Sequence, residues 1–207
     1  MAWYREHNDG VTASSALAYW GYGWSAAIDY LETDTRIDQD RVGIVGHSRH
    51  GKSALLAAVY EPRIDLVISH QSGFGGSASN RSTAGETLPK VVASYPHWFK
   101  PGFERYSDAP ETLPIDQHQL LALAAPTPLL IGNGRRDVWS DPNSTYENAF
   151  LADPIWELYG GQGLDQDGMR GFNPAAELSF SMTGGSHGIT PEDIDAFFAF
   201  IDAHFTR

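Results

Sequence analysis

Apolar residues fall into two kinds of segment that alternate along this chain. Short, mainly apolar runs are typical of strands buried in a sheet, and they are Val42–Val45, Ile64–Ile68 and Thr127–Ile131. A fourth strand is predicted at Glu177–Met182. Longer segments in which apolar residues recur every three or four positions predict amphipathic helices. These segments are Ser14–Leu31, Gly51–Val59, Ser144–Tyr159 and the residues after Thr190.

The alternation of strands and helices predicts a fold class. Successive βαβ units give a mostly parallel sheet with helices on both faces, so residues 1–207 are predicted to form a single α/β domain. The last helix has the most recognisable start, because Thr190 can act as its N-cap, Pro191 takes the first helical position and Asp193 completes a capping box. The apolar face of that helix is Ile194, Phe197, Phe198, Ile201 and Phe205.

The segment 77–125 interrupts the alternation. It continues from the glycine-rich loop Gly73–Ser79 and is rich in aromatic residues without sustained periodicity. Its aromatic residues include Tyr95, Trp98, Phe99, Phe103 and Tyr106. Long excursions from a compact domain are more often functional than structural. We therefore expect residues 77–125 to form an excursion over a functional site, with residues 80–125 irregular.

Composition narrows the classes of function. The formal net charge of -12 argues against a nucleic acid or an anionic membrane as partner, because both require clustered Lys and Arg. The chain has no Cys, which excludes disulfides and thiolate chemistry. Apart from His187, the histidines are scattered without the spacing of metal ligands, so no metal site is expected. No apolar run could span a bilayer, and Met1–His7 lacks the pattern of a signal peptide.

Candidate chemistry first appears in Gly46-His-Ser-Arg-His-Gly51, between the first predicted strand and the next helix. A serine at such a turn exposes its hydroxyl above the carboxyl end of a parallel sheet. The second glycine comes three residues after Ser48, whereas the common G-x-S-x-G turn has it after two. Ser48 is thus a candidate nucleophile, and the alternative is an ordinary residue near a helix N-cap.

Two further residues follow predicted strands in a meaningful order. Asp137 and His187 each come just after a strand, as Ser48 does, and such strand ends share one crevice in an open α/β sheet. The order Ser, Asp, His is that of the α/β-hydrolase fold. His187 would act as base and Asp137 would orient its ring. Asp141 competes for the acid role, and each residue alone could be a turn former or a surface residue.

Several motifs resemble those of glucuronoyl esterases, carbohydrate esterase family 15, in their bacterial form. The serine motif Gly46-His-Ser-Arg-His-Gly-Lys52 is similar to the family's G-x-S-R-x-G-K. Agreement extends over most of residues 15–205, including Gln71–Gly76, Tyr95–Phe99, Leu113–His118, Ala125–Pro128 and Asp137–Pro142. The resemblance implies an α/β-hydrolase fold and hydrolysis, without a cofactor, of esters between 4-O-methyl-glucuronic acid on xylan and lignin alcohols.

The resemblance also implies roles for individual residues. It makes Ser48 the nucleophile, His187 the base and Arg49 a stabiliser of the oxyanion, which suits a charged donor. Substrate-binding positions that match the family are Lys52, Glu86 and Trp139. The alternatives are ordinary structural roles: an N-terminal helix residue for Lys52, a solvated loop acid for Glu86 and a core aromatic for Trp139.

The chain departs from the family's pattern in two places. Many members have a catalytic Glu where this chain has Gln71, and an uncharged amide cannot stabilise an imidazolium as a carboxylate does, so we expect Asp137 to be the acid. The family's catalytic domain is also much longer, and the strands before the Ser48 strand are expected to be absent here. That strand would then be an exposed edge, which a homo-oligomer could cover.

Three functions remain open from the sequence. The first is a serine esterase of the glucuronoyl type, secreted or periplasmic like the family, with its export signal in the missing part. The second is another ester hydrolase, such as an acetyl-xylan or small-molecule carboxylesterase. The third is a truncated, inactive remnant that binds carbohydrate. Arg49 and Lys52 favour the first, because an acetyl-releasing site needs no donors for a uronate ring.

Overall fold

The computed structural model describes residues 14–206. Its helices are α1 (Ala16–Leu31), α2 (Arg49–Tyr60), α3 (Leu88–Ser94), α4 (Gln117–Leu123), α5 (Pro142–Leu158) and α6 (Pro191–Phe205). Its strands are β1 (Gly43–His47), β2 (Leu66–His70), β3 (Leu129–Gly134) and β4 (Leu178–Thr183). The N-terminal segment Met1–His7, in which the sequence shows no signal-peptide pattern, lies outside the described residues.

The four strands form one parallel sheet in the order β1-β2-β3-β4. Gly43 pairs with Leu66 across the first junction, and Leu129 of β3 pairs with Val67 on one side and Leu178 on the other. The carboxyl ends of all four strands therefore lie at the same edge of the sheet. The predicted parallel α/β fold is confirmed.

Helices cover both faces of this sheet, as predicted. Phe197 and Phe200 of α6 pack on one face against Leu66, Ile68 and Leu130. The opposite face carries the larger core, in which side chains of α1, α2, α4 and α5 pack on the strands. Its strand residues are Ile44, Val67, Leu129, Ile131, Leu178 and Phe180. Burial on two faces explains why β2 and the first half of β3 are continuous apolar runs, whereas in β4 the apolar residues alternate with Ser179 and Ser181.

The strand that leads to Ser48 lies at the edge of the described sheet. It pairs only with β2 within residues 14–206, which confirms the predicted edge for this part of the chain. One of its faces is also open, because Val45 is 42 % exposed, whereas Ile44 on the other face is 4 % exposed. This strand is therefore supported from one side and one face by the residues described.

The prediction that residues 80–125 are irregular was wrong in part. The segment contains α3, α4 and three 3₁₀ turns, at Pro96–Trp98, Phe103–Tyr106 and Pro110–Thr112. Asp116 and Gln119 form a capping box at the start of α4. Helices of seven residues, such as α3 and α4, span about two turns, which is too short for a helical period to be recognised in the sequence.

The aromatic residues of this segment form a second core. They pack on the N-terminal end of α1 rather than on the sheet, in a cluster of Ala16, Leu17, Phe74, Leu88, Val91, Trp98 and Leu113. Phe99 stacks on Phe103 with ring centroids 4.7 Å apart, and Tyr95 stacks on Trp98 at 4.1 Å. The segment is thus anchored by its own apolar cluster.

Helix α2 starts earlier than the sequence predicted. It begins at Arg49, directly after Ser48, instead of near Gly51. The reversal of the chain is completed by the left-handed backbone of Ser48 itself, so the next residue can already be helical.

Within residues 14–206 no helix is both long enough and apolar enough to cross a bilayer.

Candidate active site

Ser48 occupies the tight turn between β1 and α2. Its φ of 56° lies in the left-handed region, which residues other than glycine rarely adopt and which is associated with functional turns. The Ser48 N–H donates to the His70 carbonyl at 2.9 Å, and the Ser48 carbonyl accepts from the N–H groups of Gly51 and Lys52 at 2.9 and 3.2 Å. The turn is held from both sides with its hydroxyl at the carboxyl edge of the sheet.

Both glycines of the serine motif are required by close packing. A Cβ at Gly46 would overlap the carbonyl of His50, and one at Gly51 would lie 2.9 Å from the Cβ of Ser72. Gly51 also approaches Gly46, whose carbonyl oxygen would be 3.0 Å from the added Cβ. The spacing of three residues after Ser48 is explained by this contact between the end of β1 and the first turn of α2.

Three side chains form a continuous hydrogen-bonded line at this edge. His187 Nε2 lies 3.1 Å from Ser48 Oγ, and His187 Nδ1 lies 2.8 Å from Asp137 Oδ2. Asp137 is almost fully buried, whereas the side chain of His187 is 39 % exposed. A carboxylate accepts from Nδ1, which leaves Nε2 free to accept the serine proton. This is the geometry of a serine-hydrolase triad.

Asp141, the competing acid, lies in a different environment. It is the N-cap of α5, where its Oδ1 accepts from the Ser144 N–H at 3.4 Å, and its Oδ2 accepts from the Ser82 hydroxyl at 2.5 Å. Its backbone φ is 47°, in the left-handed region. The carboxylate is engaged in starting a helix and holding a loop, and the carboxylate at His187 is that of Asp137.

Ser140 supports the acid. Its N–H approaches Asp137 Oδ1 at 3.3 Å, and its hydroxyl contacts Asp137 Oδ2 and also lies 3.1 Å from the Gln71 carbonyl. Sequence reasoning missed this residue. The available signal was the spacing Asp-x-x-Ser, in which an Asp side chain accepts from the backbone N–H three residues on, as at an N-cap.

Arg49 is the exposed residue that follows the serine. Its guanidinium carbon lies 5.7 Å from the centre of the Trp98 ring, within the range of cation–π attraction. Trp98 belongs to the aromatic segment, so that segment contributes directly to the surroundings of Ser48. Arg49 is also the first residue of α2, where the backbone N–H has no acceptor within the helix and can serve an anion.

Lys52 and Glu86 form a buried pair behind the serine turn. The ammonium group donates to Glu86 Oε2 at 2.8 Å and to the carbonyls of Ser72 and Phe74 at 2.6 and 2.5 Å. Lys52 is 2 % exposed and Glu86 8 %. Burial lowers the pKa of the Lys52 ammonium, and the neighbouring Glu86 carboxylate acts in the opposite direction. All three donors of Lys52 are engaged with the protein.

Trp139 lies on the surface next to this pair. Its side chain is 45 % exposed, and the Lys90 ammonium lies 5.8 Å from its ring centre. Its carbonyl accepts from the Glu86 N–H at 2.9 Å, and a Cβ at Gly85 would lie 2.5 Å from that carbonyl. The acid loop after β3 and the segment that carries Glu86 are thereby joined through the backbone.

The structure brings all the predicted site residues into one region, in two connected groups. Ser48, Asp137 and His187 are in direct contact, whereas Lys52 and Glu86 lie beneath them as an internal ion pair. Trp98 was missed as a site residue because its helical turn was not predicted.

No group of three or more His, Asp or Glu side chains within residues 14–206 is arranged to hold a metal ion. A cavity of about 490 Å³ between Asp153 and residues 160–165 contains none of the predicted site residues.

Comparison with known families identifies relatives along most of the chain. Residues 2–160 match the family model described as "Glucuronyl esterase, fungi". The carbohydrate esterase MZ0003, from an unknown prokaryotic organism, is 41 % identical over 192 residues, which is 92 % of this chain and 44 % of the relative. The 4-O-methyl-glucuronoyl methylesterase of Hypocrea jecorina is 33 % identical over 158 residues, 72 % of this chain and 34 % of that protein.

Solved structures that resemble this chain are also esterases of this kind. A promiscuous CE15 esterase from a marine bacterial metagenome superposes with a TM-score of 0.90 at 38 % identity, covering 98 % of this chain and 52 % of the other. A glucuronoyl esterase from Solibacter usitatus superposes with a TM-score of 0.87 at 33 % identity, covering 96 % and 51 %. The chain thus spans about half the length of these structures and less than half that of the curated relatives named above.

Proposed function

Because this chain belongs to the glucuronyl esterase family, we propose that its site hydrolyses carboxylic esters of 4-O-methyl-glucuronic acid, such as those between xylan and lignin alcohols. The observation that carries the proposal is the hydrogen-bonded line from Ser48 through His187 to Asp137. Such esters occur in the plant cell wall, so action outside the cytoplasm is part of the proposal.

The reaction follows from the protonation states that the contacts favour. With its Nδ1 proton shared with Asp137, His187 takes the hydroxyl proton of Ser48 at Nε2 as Ser48 Oγ bonds to the ester carbonyl carbon. The carbonyl oxygen becomes an oxyanion. When the intermediate collapses, the bond to the leaving alcohol breaks and His187 returns the proton to the alcohol oxygen. Water then hydrolyses the acyl-enzyme, with His187 as base and Ser48 as leaving group.

Stabilisation of the oxyanion is assigned to Arg49. Its backbone N–H lies at the start of α2, and its guanidinium group follows the nucleophile directly in the chain. Charged donors of this kind are stronger than neutral ones, and removing one donor from an oxyanion hole costs about 10²–10³ in kcat. The ring of Trp98 supports the guanidinium from the side of the aromatic segment.

Substrate contacts are assigned to Lys52, Glu86 and Trp139. The exposed indole of Trp139 offers a flat apolar wall for the uronate ring. Lys52 already has three acceptors, so direct contact with a sugar hydroxyl requires that one of these hydrogen bonds be exchanged. Otherwise Lys52 contributes by fixing the carboxylate of Glu86 at the rear of the site.

The test is the release of benzyl alcohol from benzyl glucuronate by the purified 207-residue chain, with Ser48→Ala as the matched control. Turnover that is lost in Ser48→Ala supports the proposal. Acetylated xylan, assayed in parallel, identifies an acetyl esterase if it is the better substrate. A folded chain that neither turns over these esters nor reacts at Ser48 with a fluorophosphonate contradicts the proposal for this chain.

A further inference from the structure

Gln71 stands at the junction of the nucleophile, acid and base loops. It follows β2 directly, is 1 % exposed, and has a left-handed φ of 47°. Its N–H donates to the Gly132 carbonyl at 2.8 Å, and its carbonyl accepts from the Ser140 hydroxyl at 3.1 Å. A strained backbone in a residue other than glycine persists only where its surroundings fix it, and such residues are concentrated at functional sites.

The side-chain amide of Gln71 bonds to both peptide groups that flank the base. Its Nε2 donates to the Ser186 carbonyl at 2.9 Å, and its Oε1 accepts from the Gly188 N–H at 2.7 Å. One of these groups precedes His187 and the other follows it. A single planar amide therefore fixes the position and direction of the backbone that carries the imidazole.

The loop around His187 requires such support because of its sequence. Gly184-Gly-Ser-His-Gly188 contains three glycines in five residues, and glycine has the greatest backbone freedom. The start of the loop is held by the Arg136 N–H, which donates to the Gly185 carbonyl at 2.9 Å. Beyond that point Gln71 holds the backbone on both sides of His187. Space around the amide is limited, since a Cβ at Gly134 would lie 2.6 Å from Gln71 Nε2.

The contacts of Gln71 require an amide and exclude a carboxylate. The Ser186 carbonyl can only accept a hydrogen bond and the Gly188 N–H can only donate one, so the orientation of the amide is unambiguous. A Glu at this position would place a second oxygen against the Ser186 carbonyl. Gln71 is thus not simply a catalytic acid that has lost its charge.

The same oxygen also fixes a second histidine. Gln71 Oε1 lies 2.9 Å from His47 Nε2, and because an amide oxygen only accepts, His47 Nε2 must carry the proton. The ring of His47 then lies beside that of His187, with centroids 4.9 Å apart. Gln71 therefore holds the backbone around His187 and also positions the His47 ring that lies beside the His187 ring.

We propose that Gln71 is a positioning residue that holds the His187 loop so that the imidazole is aligned between Asp137 and Ser48. The inference rests on the proposed function for its catalytic consequence, but the geometry it concerns exists in the folded chain without substrate. Small misplacements of a catalytic group can cost about a hundredfold in rate. The positioning role is therefore measurable both in turnover and in the state of the His187 ring.

The test compares Gln71→Met with Gln117→Met in the 207-residue chain. Gln117 is a matched control, because it is also buried and its amide also bonds a backbone carbonyl, that of Gly76, away from the His187 loop. The ¹⁵N chemical shifts of the His187 ring report its tautomer without any substrate. In Gln71→Met we expect them to move toward a mixture of tautomers, while Gln117→Met leaves them unchanged.

Turnover provides the second readout. In Gln71→Met we expect kcat to fall about 10- to 100-fold with KM within about threefold of the unmodified chain, because alignment of the base matters chiefly in the transition state. Unchanged His187 shifts and unchanged kcat in Gln71→Met overturn the proposal. A shift of the same size in Gln117→Met also overturns it, because the effect would then be a general loosening of the fold.

Gln71→Glu keeps the inference testable if Gln71→Met does not fold, since it has nearly the same volume. At pH 8 its carboxylate cannot donate to Ser186, and we expect kcat to be at least tenfold lower with altered His187 shifts. A Gln71→Glu variant that keeps the kcat and the His187 shifts of the unmodified chain overturns the proposal. If the unmodified chain does not hydrolyse esters, the proposed function fails on that result alone, and the His187 shifts still decide the role of Gln71.

Discussion

The Lys52 ammonium lies 2.8 Å from the Glu86 carboxylate inside the protein, where both side chains are almost completely buried. A buried ion pair contributes little compared with an apolar pair of the same shape, but the loss of one partner is costly because it leaves the other charge uncompensated. The pair joins α2 to the segment before α3 across 34 residues of sequence.

Breaking this pair is expected to destabilise the fold strongly. Glu86→Gln should lower the free energy of unfolding by about 3 kcal/mol, because it leaves the Lys52 charge with carbonyl partners only. Urea denaturation measures this loss. Lys90→Met is the control, since that exposed ammonium group makes surface contacts, with the Gly85 carbonyl and the Trp139 ring. Equal stability of Glu86→Gln and the unmodified chain would contradict a charged Lys52 enclosed beside Glu86.

Substitutions of the two aspartates after β3 are expected to have different effects, one on catalysis and the other on stability. Asp137→Asn should reduce kcat by about 10⁴, as loss of the orienting carboxylate favours the wrong tautomer of His187. Asp141→Ala should leave kcat within a few fold and lower the free energy of unfolding by about 1 kcal/mol, through loss of the α5 N-cap. Steady-state kinetics and thermal unfolding on the same samples distinguish them. The opposite pattern would assign the acid role to Asp141.

Two glycine substitutions should have effects of opposite sign. Gly23 is an exposed residue of α1, and a Cβ there meets no atom within 4 Å, so Gly23→Ala should raise the free energy of unfolding by about 0.5–1 kcal/mol. Gly46→Ala should prevent stable folding, because the added methyl group overlaps the His50 carbonyl. Circular dichroism and thermal unfolding measure both. A stable Gly46→Ala variant would contradict the close approach of β1 and α2.

Stability should fall in mild acid because of His70. Burial lowers the pKa of this side chain from its usual 6.5, and the nearby Asp193 carboxylate opposes the shift only in part. Below pH 6.5 the unfolded chain takes up a proton at His70 that the folded protein does not. The unfolded state therefore binds more protons, and the contribution of His70 to the free energy of unfolding decreases as the pH falls below about 6.5 and is level above it.

Urea denaturation between pH 5 and 8 measures this dependence. In His70→Gln the slope below pH 6.5 should decrease by up to one proton, about 1.4 kcal/mol per pH unit. Gln117→Met, which replaces a buried side chain that does not titrate, is the control and should keep the slope. If His70→Gln retains the full slope, the titration belongs to other groups.

The secondary-structure elements could be predicted where they depend on residues close together in the sequence. Each strand could be predicted from a short segment of the chain. The start of α6 could be predicted from Thr190 and Asp193, which form the predicted capping box, and from Pro191 at the first helical position. The short helices α3 and α4 could not be predicted in this way. Their stability comes from an apolar cluster with α1 and from contacts between α4 and α5, and neither leaves a period in the sequence.

The candidate triad was accessible from the sequence because a parallel sheet brings the carboxyl ends of its strands to one edge. Ser48, Asp137 and His187 each follow a strand, so their meeting required only that the strands be ordered in the usual way. That argument does not distinguish two residues of the same loop. Asp137 and Asp141 are four positions apart, and only the folded backbone turns one carboxylate to His187 and the other to the start of α5.

The parallel α/β fold, the serine turn and the family could be predicted from the sequence, because they depend on residues that are neighbours in the chain. In contrast, the enclosure of Lys52 with three acceptors and the bonds of Gln71 to both peptide groups around His187 became apparent only in the folded structure. Hydrogen bonds of this kind require the donor and acceptor atoms to lie about 2.7–3.2 Å apart. Residues more than a hundred positions apart reach such distances only when the whole sheet is packed.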